Sequence, residues 1–382
     1  GRTETSIGAA RPGVSILSSS GRPDPEDQDG GVMPEHPFDK HGANTGNPRI
    51  DSLVHQLVRE AGPGENADLV EEIITSAIRV YKDGLDRGDM KIINTAVREL
   101  RHSLRVFESF RATRKVAVFG SARTPRTDPN YRIALKFSKT IVQKGWMVIT
   151  GAASGIMEAG NAGAGRRGSF GMNIRLPFEQ EANPVMLKDP KLVTFKYFFT
   201  RKLMFLRESH ATILCPGGYG THDEGFETLT LVQTGKTDPR PIVCLDAPGD
   251  SYWNDFRKFL EKQLVKKAMI HPDDLGLMFF TQDADQAVDH ILHFYKVYHS
   301  MRYIKDLLVL RIEKPLTEEQ IDFLNQKFRA IVRKGKITQS LKPFEEEKNV
   351  PYTFHLTRLA FYFKKDCYTV LRQMIDTINS FG

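Results

Sequence analysis

The residues best suited to chemistry lie in one short segment, residues 216–227, where a glycine-rich turn follows a short apolar run. The pattern predicts a strand, a loop and a helix that begins at Thr221. Such a loop binds anions, because glycine can take φ > 0 and lets the backbone approach a phosphate, while the first helical amides point at it. We therefore expect Gly217, Gly218, Gly220 and the Thr221 hydroxyl to bind a phosphate group. The spacing fits neither the Walker P-loop nor the dinucleotide GxGxxG motif, so neither an ATPase nor a dehydrogenase follows.

Two carboxylates follow the loop on the predicted helix, Glu224 and Glu227. A carboxylate beside a sugar can stabilise an oxocarbenium-like transition state and orient or deprotonate a water molecule. A structural alternative exists for Glu224, because Thr221-x-x-Glu224 is also the pattern of a helix capping box. The spacing by itself favours neither interpretation.

Residues 216–224, Pro-Gly-Gly-Tyr-Gly-Thr-His-Asp-Glu, match the PGGxGTxxE signature of the LONELY GUY (LOG) family of nucleotide 5′-monophosphate phosphoribohydrolases, which are often misnamed lysine decarboxylases. Upstream, Arg201-Lys202-Leu203-Met204 resembles the RKxxM helix of that family. Further similar segments are Gly120-Ser121-Ala122-Arg123, residues 155–161 and residues 171–177. The resemblance covers roughly residues 112–300.

The resemblance implies hydrolysis of the N-glycosidic bond of nucleoside 5′-monophosphates to free base and ribose 5-phosphate. It makes Glu224 and Arg201 the catalytic residues. Glu227 lies one turn after Glu224 on the same predicted helix face and is expected to bind the ribose hydroxyls, and Lys202, next to Arg201, could add positive charge. Residue chemistry alone leaves another interpretation of Arg201, whose stem could cover apolar surface while its head stays in water. The family also implies a homodimer or larger homo-oligomer in which two subunits build the site together.

Four more residues are candidates for contact with the nucleotide, and each has a structural alternative. Ser121 and Ser154 end predicted strands and could touch base, ribose or phosphate, or could be only turn or cap residues. Met157 and Asn173 could line the base pocket or simply pack. Residues 151–155, Gly-Ala-Ala-Ser-Gly, are less glycine-rich than in plant-type members of the family, which leaves the preferred base open.

Apolar strands alternate with helical segments through the middle of the chain, and each glycine cluster follows a strand. This order predicts an α/β fold, a Rossmann-like parallel sheet with helices on both faces. Ligands of such sheets bind at the carboxyl ends of the strands. The predicted strands are residues 115–119, 146–150, 169–176, 211–215 and 241–245.

The flanking regions lie outside the resemblance and differ in pattern. Residues 1–48 are rich in Gly, Pro, Ser and Asp, which predicts a disordered tail or a partner-binding segment. Residues 49–111 have a helical period and predict a helical cap on the catalytic domain at 112–300, or an oligomerisation surface. Residues 301–382 predict a small β-α-β-β-α module, regulatory or structural, joined by a linker at 298–302.

Composition narrows the class of protein further. A formal charge of +7 suits a phosphate-bearing ligand. The sequence has no basic stripe interleaved with aromatic residues, so we do not expect it to bind nucleic acid. No apolar run is long enough to span a membrane. Three scattered cysteines are typical of a reduced, cytoplasmic protein, and no cluster has metal-ligand spacing, so we expect no metal or organic cofactor.

Two other functions are compatible with parts of the sequence. A non-catalytic nucleotide sensor would use the same glycine loop and would retain an intact nucleotide. A pyridoxal-phosphate decarboxylase would need a Schiff-base lysine and a partner for the pyridine nitrogen, and the sequence marks neither.

Overall fold

A computed structural model describes residues 44–62, 64–177, 181–348 and 350–382. Most of the predicted tail, residues 1–43, therefore lies outside the described residues. The chain divides into two compact units between Met90 and Lys91. Within the described ranges no helix has the length and apolar character that crossing a membrane requires.

The secondary structure alternates between helices and strands over the middle of the chain. The α-helices are α1 (Pro48–Glu60), α2 (Ala67–Lys82), α3 (Arg87–Glu108), α4 (Pro129–Gln143), α5 (Ile156–Ala164), α6 (Phe198–Glu208), α7 (Tyr219–Gln233), α8 (Tyr252–Phe259), α9 (Ala284–Phe294), α10 (Glu318–Lys327) and α11 (Tyr368–Ser380). The strands are β1 (Lys115–Phe119), β2 (Met147–Thr150), β3 (Ser169–Ile174), β4 (Leu192–Phe195), β5 (Ala211–Leu214), β6 (Ile242–Leu245), β7 (Met278–Thr281), β8 (Tyr298–Ile304), β9 (Leu307–Ile312), β10 (Val332–Ser340) and β11 (Thr357–Phe363).

The first unit contains the contacting helices α1 and α2. Asn47 caps α1, since its side chain accepts a hydrogen bond from the Arg49 amide at 3.0 Å. His55 on α1 pairs with Glu71 on α2 at 2.8 Å. Helices are thus present where the sequence predicts a helical cap, and the role of that region stays a prediction.

The second unit is built around a seven-stranded parallel sheet in the order β4-β3-β2-β1-β5-β6-β7. Strands β1 to β4 follow one another toward one edge of the sheet. Strand β5 then lies on the other side of β1, and β6 and β7 continue toward the opposite edge. The predicted α/β, Rossmann-like fold is confirmed. The outer strands β4 and β7 were not predicted.

Both faces of this sheet are covered by helices, as predicted. One face packs against α4, α5 and α9, with Phe137 and Ile291 fully buried there. The other packs against α3, α6, α7 and α8, where Phe107 stacks on Phe170 with ring centroids 4.3 Å apart. Burial on both sides explains why the strands read as continuous apolar runs rather than as alternating ones.

A separate antiparallel sheet follows, in the order β10-β11-β9-β8. It has its own apolar core, which includes Leu310, Phe361 and residues of α11 such as Leu371. The order of elements is β-β-α-β-β-α, so one strand is missing from the sequence prediction. Residues 298–302, predicted as a linker, lie in β8, and that assignment is wrong: Tyr298 and Met301 are buried, and the intervening polar residues hid the strand.

The final helix connects the antiparallel sheet to the α/β core. The side-chain oxygen of Asn379 accepts hydrogen bonds from the amides of Val297 and Tyr298, both at 2.9 Å, and its nitrogen donates to the Phe294 carbonyl. Arg372 donates to the Arg240 carbonyl at 3.1 Å. The two sheets are therefore joined by specific polar contacts as well as by packing.

Candidate active site

A cavity of about 740 Å³ lies at the carboxyl ends of the central strands. It sits where the chain changes direction between β1 and β5, the position at which open α/β sheets bind their ligands. We call it the site cavity. Nine predicted site residues line it: Ser121, Met157, Asn173, Arg201, Gly217, Gly218, Gly220, Thr221 and Glu224.

The glycine loop, residues 216–220, is fixed against the loop after β1. The Ser121 amide donates to the Pro216 carbonyl at 3.0 Å, and the Ser121 carbonyl accepts from the Ile156 amide at 3.0 Å. A Cβ on Gly217 would collide with the Thr221 Oγ1, whereas Gly218 and Gly220 face open space. The three loop glycines are absent from the left-handed region of φ, so close approach, rather than φ > 0, explains Gly217, while Gly218 and Gly220 leave space open in front of the loop.

Helix α7 begins at Tyr219, two residues before the predicted start. Gly218 is its N-cap residue and no side chain caps it, so Thr221 lies inside the first turn. The capping-box interpretation of Thr221 and Glu224 is therefore wrong. The first amides of a helix have no intrahelical acceptors, and those of α7 border the site cavity, which suits an anion.

Glu224 and Arg201 form the charged pair of the site cavity. Glu224 Oε1 lies 4.0 Å from Arg201 Nη2, and the two side chains are 6% and 14% exposed. Burial raises the pKa of Glu224 to about 7 despite the opposing charges of Lys202 and Arg201. Burial also lowers the pKa of Arg201 more than the nearby carboxylates raise it. Desolvation thus outweighs the attraction between them, so this pair contributes little stability.

The guanidinium of Arg201 lies against aromatic rings, and one of its donors lacks an acceptor in the part of the chain that the structure describes. Its guanidinium carbon lies 4.9 Å from the centroid of the Phe198 ring and 5.8 Å from that of Phe205, within range of a cation–π contact. Its buried Nε has no hydrogen-bond partner among the described residues. A buried donor without an acceptor is costly, and a ligand oxygen in the cavity would remove that cost.

Three predicted site residues lie outside the site cavity. Ser154 Oγ donates to the Ala122 carbonyl at 2.8 Å, which matches its alternative role as a turn residue. Lys202 forms ion pairs with Glu227 and, at 2.9 Å, with Asp223. Lys202 and Glu227 line a second cavity instead. Successive helical residues are about 100° apart, so Lys202 points away from the direction of Arg201.

The remaining predicted residues make local contacts at the edge of the cavity. Ser121 Oγ accepts from the Arg123 amide at 3.0 Å, and Asn173 Oδ1 accepts from the Ile174 amide at 2.8 Å. Met157 lies against Gly151, where an added Cβ would meet the Met157 sulfur at 2.7 Å. The absence of a side chain at residue 151 thus leaves room for Met157 in the cavity wall.

A tyrosine that the sequence analysis missed supports the glycine loop from α8. The Tyr252 hydroxyl donates to the Gly217 carbonyl at 2.5 Å and lies 2.7 Å from His222 Nε2. Because that hydroxyl donates its hydrogen to Gly217, the network assigns the imidazole proton of His222 to Nε2. Burial lowers the pKa of His222, in keeping with a neutral ring. His222 lies within the signature segment, but no spacing rule relates it to Tyr252.

The described residues offer little for a metal ion or reactive thiol. Among them, no group of three or more His, Cys, Asp or Glu side chains could hold a metal ion. Cys215 and Cys244 are buried and unpaired, and burial raises the pKa of the Cys215 thiol to about 12. Cys215 is therefore a packed core residue at neutral pH.

The pKa of Glu224 predicts a pH dependence. If ionised Glu224 is needed for base release, kcat/KM should rise with pH through an apparent pKa near 7 and level off above it, because the carboxylate forms as pH increases. The substrate phosphate has its own second pKa of about 6. The profile of Glu224→Gln therefore serves as the control, and the limb near pH 7 should be absent from it. A parent profile that is flat from pH 6 to 8 would contradict this assignment.

Part of the chain is similar in sequence to known proteins. Residues 150–291 match the family model described as "Possible lysine decarboxylase". The chain is 33% identical over 99 residues to the probable cytokinin riboside 5′-monophosphate phosphoribohydrolase LOGL3 of Oryza sativa subsp. japonica, covering 26% of this chain and 44% of that protein. To LOGL2 of the same organism, with the same description, it is 27% identical over 162 residues, covering 42% of this chain and 64% of that one.

One solved structure matches part of the chain with a lower sequence identity. It is the molybdenum cofactor binding protein from Rippkaea orientalis, 16% identical, with a TM-score of 0.34 and coverage of 47% of this chain and 95% of that one. The two curated matches span about half of those relatives' lengths. They are nevertheless plant phosphoribohydrolases of the kind that the signature segment predicts. The α/β core of this chain is thus similar to the LOG family, as residues 216–224 indicate.

Proposed function

We propose that this protein hydrolyses the N-glycosidic bond of nucleoside 5′-monophosphates, releasing the free base and ribose 5-phosphate. The observation that carries the proposal is the placement of buried Glu224 and Arg201 in one cavity with the glycine loop and the N-terminus of α7. That cavity is large enough for a nucleotide. The relatives named as phosphoribohydrolases support the same reaction.

The 5′-phosphate is assigned to the glycine loop. Gly218 and Gly220 have open space where side chains would otherwise project, and the helix dipole favours negative charge there. Thr221 Oγ1 packs beside Gly217 and adds a hydroxyl donor at the same place. The phosphate would thus fix the ribose near the middle of the cavity.

Glu224 is assigned to the anomeric carbon and the attacking water. As the C1′–N bond lengthens, positive charge develops on the ribose ring, and a buried carboxylate stabilises it more strongly than an exposed one would. The carboxylate accepts a proton from water as the new C1′–O bond forms, and the base departs with the electron pair of the broken bond. A pKa of about 7 keeps a useful fraction of Glu224 ionised at neutral pH while leaving it a competent base.

Arg201 is assigned to the phosphate or to the departing base. Its unpartnered Nε supplies a donor, and its charge lies beside the carboxylate without a close ion pair to neutralise it. The aromatic rings of Phe198 and Phe205 hold the guanidinium without occupying its N–H groups. Arg201 would therefore strengthen its contacts as negative charge develops on the substrate.

The proposal is tested by comparing each nucleoside 5′-monophosphate with its unphosphorylated nucleoside. If the glycine loop holds the phosphate as proposed, kcat/KM should fall at least about a hundredfold when the phosphate is removed, as expected for loss of several charge-assisted hydrogen bonds. Base release is followed by chromatography. Ribose 5-phosphate should compete with the substrate, and adenine, guanine, cytosine, uracil and isopentenyladenine nucleotides together show which base is preferred.

Two outcomes would contradict the proposal in different ways. Comparable kcat/KM for nucleoside and monophosphate would remove the phosphate assignment. Tight retention of intact nucleotide with no base release would instead indicate the non-catalytic sensor.

Assembly and location belong to the proposal as well. Phe198, Phe199 and Leu203 on α6 are about half exposed beside Arg201, which suits coverage by a second copy of the chain. We propose a homo-oligomer on that ground and on the family resemblance. A cytoplasmic location and the absence of nucleic-acid binding stay predictions from the sequence.

A further inference from the structure

The larger cavity of the second unit, about 1010 Å³, lies between the α/β core and the antiparallel sheet. Arg114, His210 and Arg240 line it from the core, and Tyr298 and Arg311 line it from the sheet. We call it the junction cavity. Helices α6 and α7 contribute to both cavities, but through different residues, so the two are separate.

Positive charge exceeds negative charge in the junction cavity. Several lining cations are neutralised by ion pairs: Arg111 with Glu108, Lys202 with Glu227, Arg207 with Glu208 and Arg311 with Glu347. Arg114, Lys236 and Arg240 have no ion pair within the described part of the chain, but Arg240 already donates to the Leu206 and Ser209 carbonyls and to the Thr237 hydroxyl. Against them stands one lining carboxylate outside any described ion pair, Asp238. The uncompensated cations favour an anionic ligand such as a phosphate group.

The pKa values of two histidines that line the junction cavity are lowered in part by the positive charge of Arg114. Burial, and next the charge of Arg114, lower the pKa of His210 to about 3 and that of His299 to about 4. Both rings are therefore neutral at pH 7 and add no charge of their own.

Arg114 is held in place yet keeps free donors. Its guanidinium carbon lies 3.8 Å above the Tyr295 ring, and Nη2 donates to the His299 carbonyl at 3.3 Å. A guanidinium has five N–H donors, so most of those of Arg114 remain available for a ligand. Stacking on a tyrosine fixes the orientation of the fork, which favours bidentate binding of a phosphate.

A buried hydroxyl in the same wall has no partner. Tyr298 is 1% exposed, and its hydroxyl makes no hydrogen bond with any described residue. Leaving such a group unsatisfied costs about 1–3 kcal/mol. Native structures rarely keep such a group without a reason, and a bound ligand is one.

We propose that the junction cavity binds a nucleotide, with its phosphate held by Arg114 and the Tyr298 hydroxyl. The volume suits a nucleotide, since small-molecule sites commonly measure about 300–1,000 Å³. Tyr352 lines the cavity and is 72% exposed, so its ring is available to stack on a base. This site is distinct from the site cavity and does not depend on the activity proposed there.

The test measures binding of ATP to the full chain by isothermal titration calorimetry without magnesium. The variants are Arg114→Gln, which removes the cation, and Tyr298→Phe, which removes only the unpartnered hydroxyl. The matched control is Arg333→Gln, an exposed arginine of the same sheet whose partner is Asp306. We expect the Kd of ATP to rise at least tenfold in Arg114→Gln, about threefold or more in Tyr298→Phe, and less than twofold in Arg333→Gln.

Adenosine serves as the second probe, and its Kd should exceed that of ATP at least tenfold, because it lacks the phosphates. Tyr298→Phe keeps the test decisive if Arg114→Gln fails to fold. It disrupts no described hydrogen bond and should therefore keep the melting temperature of the parent. Three results would each overturn the inference: no ATP binding by the parent at millimolar concentration, equal affinities in the parent and Tyr298→Phe, or equal affinities for ATP and adenosine. ATP bound only in the site cavity would give the second of these.

Discussion

Replacing Glu224 by glutamine is expected to lower kcat for base release by a factor on the order of a hundred or more, as for loss of a positioned general base. Glutamine has nearly the same shape, and Glu224 caps no helix, so the fold should remain intact. The measurement is base release from a saturating nucleoside monophosphate at pH 8, where the parent carboxylate is ionised.

The stability of the same variant should change in the opposite direction. The folded pKa of Glu224, about 7, lies above its ordinary value of 4.5, so the folded protein binds the proton more tightly than the unfolded chain. The parent therefore loses stability as pH rises from about 4.5 to 7, and glutamine avoids that loss. At pH 8 we expect Glu224→Gln to be inactive but at least as stable as the parent.

The control for this pair of measurements is Glu261→Gln, which changes an exposed carboxylate paired with Arg257 on the surface. It should alter neither turnover nor stability appreciably. Turnover of Glu224→Gln within a few-fold of the parent would remove the catalytic assignment, whatever its stability.

Replacing Glu347 by glutamine should destabilise the protein by about 3–5 kcal/mol, the usual cost of breaking a buried charge network by removing one partner. Glu347 is fully buried: Oε1 accepts from Arg311 Nε at 2.7 Å and Oε2 from Arg358 Nε at 3.1 Å. Arg358 is also fully buried, and its other donors bond to the Thr353 and Phe354 carbonyls. Without the carboxylate, two guanidinium groups would be left in the interior without a counter-charge.

Denaturation by urea measures the effect, with Glu345→Gln as the matched control. Glu345 lies in the same short turn but is 81% exposed, so its change should stay within about 0.5 kcal/mol. Burial raises the pKa of Glu347, but hydrogen bonds from the Phe344 amide and Arg311 outweigh it and hold the pKa below 4.5. The stabilisation by Glu347 is therefore present above pH 4.5 and lost as pH falls below it. Equal urea midpoints for the two variants would show that the network contributes nothing.

The sequence predicted the parts of the fold that carry a strong local pattern. The runs around β1 and β5 are apolar because both faces of the sheet are covered, and their glycine clusters mark the strand ends. Strand β8 was missed because its buried residues, such as Tyr298 and Ile304, are separated by pairs of partly exposed ones. Neither strict alternation nor a continuous apolar run is present there.

The candidate site was predictable where one segment supplies it and not where distant segments meet. The glycine loop, Arg201 and Glu224 were found from local motifs, and they line one cavity. Glu227 was predicted to be a ligand of the ribose hydroxyls, yet it forms an ion pair with Lys202 and lines the other cavity. Tyr252 joins the site only through tertiary packing, which no spacing in the sequence reports.

The contacts of Asn379 have a consequence for synthesis of the chain. All seven strands of the parallel sheet have been translated once Thr281 emerges, whereas the amides of Val297 and Tyr298 find their side-chain acceptor only after α11 has appeared. The nascent α/β core can therefore fold first, and docking of the antiparallel sheet is a late step that depends on the last helix. In the interval, the apolar residues of β8 and β9 would be open to chaperones.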